Sequence, residues 1–221
     1  MIEAALDLFH LYGVHGTSVD KVLDRSGTGK GQFSHYFGTK GGLVHAVLEY
    51  LVEVIRSGQA PTGYEVRTWD ELAGWFEGYL AFQRDVGFQR SCPIGTIGND
   101  VLDDQALLRQ DVRLFFEWAR ATLGRFFAER RAGGELDAKA DPDALADLCI
   151  AVMQGGMLIT KITRSPKAFE RAAGQALAYI ASLRRPPGVN HSPGPRSPSF
   201  GSMQSRSRRR RRRRVSGPGL G

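Results

Sequence analysis

Cysteine is scarce in this sequence, and long apolar runs are missing. Two cysteines in 221 residues are too few for a disulfide scaffold and suit a reducing compartment, so we expect a cytoplasmic protein. No uninterrupted run of about 18 apolar residues occurs, which argues against a membrane-spanning segment. The first residues, MIEAALDLFHLYG, carry Glu3 and Asp7 where a signal peptide would be basic, so secretion is not expected.

The patterns of common catalytic and cofactor sites are also missing. His10, His15, His45 and His191 have no metal-ligand spacing, and no Ser-His-Asp order lies within a supporting motif. The stretch GTGKGQFSHYFGTK, residues 27–40, is glycine-rich, but Asp24 stands where a Walker A loop needs glycine and Gly31 where it needs Ser or Thr. We therefore expect no cofactor, no metal and no catalytic residue. A helical enzyme without a recognisable motif stays open as an alternative.

Acidic residues are absent from the last 38 positions, where the positive charge is concentrated. The formal net charge is +7, and residues 184–221 hold eleven of the 30 basic residues and none of the 23 acidic ones. Residues 1–183 thus carry 19 basic and 23 acidic groups, a net charge of −4. Like-charge repulsion among seven consecutive arginines, 208–214, predicts a disordered tail over 184–221. This tail is either an electrostatic arm for nucleic acid, an extension without a role, or a gene-model artefact.

Hydrophobic periodicity predicts helices throughout residues 1–183 and no strand, so the predicted fold class is all-α. The predicted helices cover residues 2–12, a short stretch capped by Thr17, 29–36, a helix capped by Thr39, 69–86, 105–131, 142–163 and a last helix ending at 183. Proline and glycine interrupt the pattern at RSCPIGTIGNDVLDD, residues 90–104. Asp141-Pro142 and Ser165-Pro166 each combine an N-cap with a proline at the first helical position.

Two short helices joined by a glycine-containing turn, with a third helix in front, predict a helix-turn-helix unit at the N-terminus. In that geometry the second helix of the pair enters the major groove of DNA. The glycines of residues 27–31 then supply the turn and a close approach to DNA.

Residues 2–48 resemble the DNA-binding domain of TetR-family transcriptional regulators. The resemblance rests on the A-x-x-L-F helix, on G-x-x-x-T-S-V, and on K-G-x-F-x-H-Y-F-x-x-K. It implies a DNA-binding domain over 1–48 and a helical ligand-binding and dimerisation domain over 49–183. The strings CPIG and MQGGMLI resemble one subgroup of the second domain.

The resemblance also implies roles for individual residues. The implied DNA-contacting residues are Thr17, Ser18, Lys30, Gly31, Gln32, Ser34, His35, Tyr36 and Lys40. Thr17 and Ser18 would lie at the start of the second helix and contact the DNA phosphate backbone. Tyr36 and Lys40 would also contact phosphates. Gln32 would read an adenine edge through two hydrogen bonds. Gly29 stands where the recognition helix usually has a polar cap.

Large rings at helical spacing in the second domain predict either core packing or a ligand cavity, and we expect both. The candidate pocket residues are Trp75, Phe76, Tyr79, Phe82, Cys92, Phe115, Phe116, Trp118, Met153 and Met157. The implied function is repression released by a small apolar or electrophilic effector. Arg90 and a helix start could lower the pKa of the Cys92 thiol for sensing, whereas the alternative is a buried, inert thiol.

One helix-turn-helix unit offers few base contacts, so we expect a homodimer on a palindromic operator. Helices 142–163 and 167–183 would form the interface. Their small residues, namely Gly155, Gly156, Ala172, Ala173 and Ala176, would allow close packing between subunits. Non-specific nucleic-acid binding through the arginine-rich tail is the remaining alternative function.

Overall fold

The computed structural model describes residues 1–60, 62–100 and 105–185. These residues form helices α1 (Ile2–Tyr12), α2 (Val19–Ser26), α3 (Lys30–Tyr36), α4 (Lys40–Arg56), α5 (Trp69–Asp85), α6 (Pro93–Asn99), α7 (Ala106–Ala132), α8 (Pro142–Thr163) and α9 (Lys167–Ser182). Within those ranges the only extended pairing is an isolated bridge between Leu136 and Arg184. The predicted all-α class is confirmed. The disorder predicted for the arginine run at 208–214 concerns residues outside the described part of the chain.

Side-chain caps begin several helices as the sequence predicts. The Thr39 hydroxyl accepts a hydrogen bond from Gly42 N at 3.1 Å, and the Asp141 carboxylate accepts one from Asp143 N at 3.0 Å. The Ser165 cap is wrong, because Pro166 holds the N-cap position of α9. Thr17 as a cap is also wrong: Ser18 Oγ accepts from Lys21 N at 3.2 Å and caps α2 instead.

The segment in which proline and glycine interrupt the pattern, residues 90–104, contains the short helix α6, and the helix start predicted near Cys92 is confirmed because Cys92 is its N-cap. Pro93 occupies its first turn, where the missing N–H has no intrahelical partner to lose. Ile94 and Ile97 are fully buried, so tertiary packing stabilises seven residues that would not form a helix in isolation. Residues 101–104 lie outside the described part of the chain.

Helix α8 lies against both α7 and α9, and a glycine permits the closest approach. A Cβ atom at Gly156 would lie 2.3 Å from the Phe169 ring of α9. Gly156, Ala173 and Ala176 are all buried inside the subunit. Their assignment to an interface between subunits is therefore wrong, since they pack the protein's own core.

By length and composition alone, α8 is apolar enough to cross a membrane. The apolar run of α8 is not continuous, because Asp147, Gln154 and Lys161 interrupt it, and for this reason the sequence predicted no membrane-spanning segment here. Leu145, Cys149, Met153 and Met157 are buried along one side of α8, which packs that side inside the helical body.

The folded part extends beyond the predicted boundary at residue 184. The Arg184 guanidinium lies 4.6 Å from the centroid of the Trp69 ring. Arg185 N donates to Glu135 O at 2.9 Å, and its guanidinium pairs with Asp137 at 3.4 Å. Arg184 and Arg185, which the prediction placed in the tail, therefore contact the helical body, and residues 186–221 lie outside the described part of the chain.

Candidate DNA interface and effector cavity

Helix α3 presents an exposed polar side. Lys30, Gly31, Gln32, Ser34, His35 and Tyr36 are all exposed. On the other side, Phe33 and Phe37 pack against the core with ring centroids 6.0 Å apart. These two rings fix the helix on the body and leave its polar side available to a partner.

Gln32 has a local role that the sequence analysis missed. Its Oε1 accepts a hydrogen bond from Gly29 N at 3.2 Å. Glycine has no side chain with which to cap a helix, so Gln32 satisfies one backbone N–H at the start of α3 from inside the helix. The glutamine three positions after a cap residue is the signal for this arrangement.

Of the other implied DNA contacts, Ser18 is exposed and Thr17 is fully buried. The Thr17 hydroxyl donates to Gly13 O at 2.9 Å and faces Leu8 O at 3.3 Å. Thr17 therefore joins α1 to α2 and has no surface for phosphate, which corrects its implied role. Lys40 is half-buried, and burial lowers the pKa of its ammonium.

A cavity of about 360 Å³ lies between the N-terminal helices and the C-terminal helical body. Five of the candidate residues line it: Tyr79, Phe82, Cys92, Phe115 and Met157. The other five do not. Phe76 and Met153 are buried in the core, and Trp75 Nε1 donates to Gly63 O at 2.7 Å. Trp118 contacts Tyr64 edge to face, and Phe116 lines a separate cavity.

Helices α1 and α4 contribute cavity walls that were not predicted from the sequence. These walls comprise Glu3, Leu6, Asp7 and His10 of α1 and Tyr50, Leu51, Val54 and Ile55 of α4. The sequence prediction assigned α1 to the DNA-binding unit and α4 to the end of that unit. The hydrophobic periodicity of these helices therefore gave no reason to place them around a ligand. The one signal in the sequence was His10, a polar residue on the apolar side of α1.

Three buried side chains of the cavity, Tyr64, Tyr79 and His10, are neutral near pH 7. Burial raises the pKa of Tyr79 to about 12 and that of Tyr64 well above its usual value. Burial also lowers the pKa of His10 to about 4, helped by the nearby charges of Arg90 and Lys161 and opposed by a hydrogen bond to Ser91 O.

Cys92 also lines the cavity, and its thiol is not acidic. Burial raises the pKa of Cys92, and hydrogen bonds from Gly95 and Gln154 oppose this effect without reversing it. The predicted lowering of the pKa by Arg90 is wrong, because Arg90 pairs with Asp7 instead. A small buried thiol describes Cys92 better than an activated nucleophile.

The segment around α6 contacts the N-terminal unit at both of its ends. At the first end, Asp7 pairs with Arg90 and also with Arg25 of α2, the latter at 2.7 Å. At the other end, Asp100 Oδ2 accepts hydrogen bonds from Val14 N at 2.6 Å and His15 N at 3.2 Å. A displacement of α6 would therefore act directly on α1 and on the turn before α2.

A helix-turn-helix unit with an exposed second helix, joined to a helical body, defines a DNA-binding regulator. Comparison with family profiles makes the class specific. Residues 1–47 match the bacterial regulatory proteins of the tetR family, and residues 69–176 match the tetracyclin repressor-like C-terminal domain. The chain belongs to the TetR family of transcriptional regulators, which confirms the resemblance found in the sequence.

Individual relatives share both parts of the chain. The transcriptional regulator AcuR of Cereibacter sphaeroides is 28% identical over 179 residues, covering 75% of this chain and 77% of AcuR. The crystal structure of a TetR regulatory protein from Rhodobacter sphaeroides superposes with a TM-score of 0.69 at 24% identity, over 81% of this chain and 96% of that one. A cysteine mutant of the regulator CifR, complexed with a 26-base-pair operator, gives a TM-score of 0.64 at 18% identity, over 80% and 93%.

Proposed function

We propose that this TetR-family protein is a dimeric repressor that leaves a palindromic operator when a small apolar molecule enters the cavity. The observation that carries the proposal is the position of the cavity, whose walls come from α1 and α4 on one side and from α5 to α8 on the other. A ligand there contacts the helices that hold α3 and those of the body at once.

In the DNA-bound state, α3 would lie in the major groove, as in other helix-turn-helix proteins. The exposed residues Gln32, Ser34 and His35 would face base edges, and Ser18, Tyr36 and Lys40 would reach phosphates. The structural neighbour CifR has a 26-base-pair operator bound, which supports this mode. Thr17 contributes only by holding α1 and α2 together.

Replacing Gln32 by alanine is expected to reduce discrimination between operator and scrambled DNA. A bidentate contact with adenine is worth about 1–3 kcal/mol, so the ratio of the two affinities should fall roughly tenfold or more. Fluorescence anisotropy with both DNA sequences at one salt concentration measures this ratio. Gln89→Ala, at an exposed glutamine outside the helix-turn-helix unit, is the matched control and should leave the ratio unchanged. An unchanged ratio for Gln32→Ala would remove Gln32 from the base-reading set.

The surface proposed for dimerisation is an exposed apolar strip on α8 and α9. Its residues are Leu158, Ile159 and Ile162 near the C-terminal end of α8, and Tyr179 near the C-terminal end of α9 adds an exposed ring farther along the helix pair. Large apolar side chains exposed together mark a protein–protein contact site. Two copies of this strip, related by a two-fold axis, would form a four-helix interface and place two α3 helices on successive major grooves.

The proposed switch is a shift of population. A ligand that fits the cavity better in one arrangement of α1, α4 and α6 stabilises that arrangement by its difference in affinity. In the arrangement favoured by the ligand, the distance between the two α3 helices would differ from the distance between successive major grooves. The protein would then leave the operator. The contacts of Asp7 and Asp100 with the N-terminal unit provide the mechanical connection.

Footprinting on DNA flanking the protein's own gene tests the proposal. We expect protection of a two-fold symmetric site, and loss of protection with at least some members of a library of apolar compounds. Protection of DNA without sequence preference, under all salt conditions, would contradict operator-specific repression and favour simple electrostatic binding.

Deleting residues 188–221 is expected to lower the affinity for operator and scrambled DNA by similar factors. The deleted segment contains nine arginines and no acid, while Arg184 and Arg185 keep their contacts with the body. Each phosphate contact contributes about 0.9 to the slope of log affinity against log salt, whatever the sequence. The slope measured between low and moderate salt should therefore flatten. If only operator binding falls, the tail reads sequence and the electrostatic explanation is wrong.

A further inference from the structure

His10 is the most deeply buried polar side chain of the cavity wall contributed by α1. The residue is 6% exposed, lines the cavity, and stacks parallel to Phe82 with ring centroids 6.2 Å apart. Its Nε2 lies 2.5 Å from the carbonyl oxygen of Ser91. The ring is thus held in place by one hydrogen bond and one aromatic contact.

The Ser91 contact determines which ring nitrogen carries the hydrogen. A carbonyl oxygen only accepts hydrogen bonds, so Nε2 must be the donor. Because burial holds the pKa of His10 at about 4, the ring carries a single hydrogen near pH 7, and Nδ1 has a free lone pair. Among the described residues, no group donates a hydrogen bond to Nδ1. Nδ1 is not one of the fully buried side-chain atoms that lack a partner, and His10 lines the cavity, so a donor in the cavity, whether water or a ligand, can bond to this nitrogen.

The remaining cavity wall restricts the chemistry of that ligand. Leu6, Leu51, Val54 and Ile94 provide apolar surface. The charges of Asp7 and Arg90 compensate each other, and Glu3 accepts a hydrogen bond from the Tyr50 hydroxyl. A carboxylate has no hydrogen for Nδ1, and an ammonium group would lose its hydration among the apolar side chains.

We propose that the effector is an uncharged, largely apolar molecule bearing a hydroxyl or N–H group, and that Nδ1 of His10 accepts the hydrogen bond from that group. This inference rests on the proposed role of the cavity as the effector site. Because His10 belongs to α1, the donor group is recognised by the DNA-binding unit itself, while the apolar part of the ligand contacts α5, α7 and α8.

Two probes of nearly equal shape test the donor requirement. 4-Phenylphenol has a hydroxyl group where 4-methylbiphenyl has a methyl group. Isothermal titration calorimetry with the full-length chain is expected to give about tenfold tighter binding of the phenol, the magnitude of one buried hydrogen bond. The ¹⁵N resonance of His10 Nδ1 should shift on addition of the phenol and stay unchanged with the methyl compound.

Variants separate recognition from general stability. His10→Phe keeps the ring contact with Phe82 but has no acceptor, so the phenol hydroxyl would be buried unpaired, and the variant should bind 4-methylbiphenyl more tightly than 4-phenylphenol. His10→Gln retains an amide N–H for Ser91 and an oxygen acceptor, and should recover part of the preference for the phenol. Met157→Leu alters an apolar wall of the cavity and should change both affinities by the same factor.

The outcomes separate a failure of the proposed role of His10 from a failure of the proposed effector site. Equal affinity of the wild-type protein for both probes, or a preference that persists in His10→Phe, would overturn the role of His10 and leave the cavity as an effector site. If neither probe binds at its solubility limit, the cavity does not accept apolar molecules of this kind, and the proposed effector site falls together with the role of His10.

Discussion

Replacing Ile162 by glutamate should convert the protein to a monomer and abolish tight operator binding. Ile162 is 71% exposed near the end of α8, beside Leu158 and Ile159. In a two-fold interface the substitution would bury two carboxylates in apolar surroundings, which costs far more than the lost apolar contact. A single α3 helix then reads one half-site, so operator affinity should fall by at least about a hundredfold. Sedimentation velocity and anisotropy measure the two effects.

Leu107→Glu is the matched control for this substitution. Leu107 is 77% exposed on α7, outside the proposed interface, and it receives the same charge at a similar exposure. This variant should remain a dimer and bind the operator normally. If Ile162→Glu remains dimeric at micromolar concentration, the α8 and α9 strip is not the interface.

Replacing Gly156 by alanine should destabilise the folded protein by about 3 kcal/mol. The added Cβ would lie 2.3 Å from one atom of the Phe169 ring and 2.5 Å from another. Phe169 is fully buried, so the ring cannot move outward, and α8 and α9 must separate. Such overpacking costs typically 1–3 kcal/mol and occasionally more. Urea unfolding of the wild-type and variant proteins at the same protein concentration gives the difference in the free energy of unfolding, because the concentration-dependent contribution of dimer dissociation is then equal for the two.

Gly74→Ala in α5 separates this steric effect from helix propensity. A Cβ at Gly74 meets no atom within 4 Å, so the substitution should stabilise the protein by up to about 1 kcal/mol. Equal effects of Gly74→Ala and Gly156→Ala would mean that the Phe169 contact does not limit the packing of α8 on α9.

The sequence predicted those features that depend on neighbouring residues. The caps Thr39 and Asp141 could be predicted because each bonds to a backbone N–H only two or three positions further along the chain. Thr17 satisfies the same local rule, yet the packing of α1 on α2 buries it and its hydroxyl bonds to Gly13 O. For helix α6 the sequence predicted only a start near Cys92, because the stability of this helix comes from the burial of Ile94 and Ile97 rather than from its own propensity.

The cavity shows the same limit at a larger scale. The spacing of aromatic residues identified Tyr79, Phe82 and Phe115, but it could not separate them from Phe76, which packs the core. Periodicity shows which side of a helix is apolar and not what that side faces. The walls from α1 and α4 depend on contacts between residues far apart in the sequence, and these contacts are specified only by the three-dimensional packing.

The bond between Asp100 and the turn after α1 bears on how such regulators can be recombined. Asp100 binds the backbone N–H groups of Val14 and His15, so the link does not depend on which side chains those positions carry. Only Gly13 is constrained, since a Cβ there would lie 2.5 Å from the Asp100 carboxylate and its φ is +76°. A hybrid with a DNA-binding unit from another regulator would keep the hydrogen bonds of Asp100 if that unit has glycine at position 13. The pairs Asp7–Arg90 and His10–Ser91 would have to be transplanted with it.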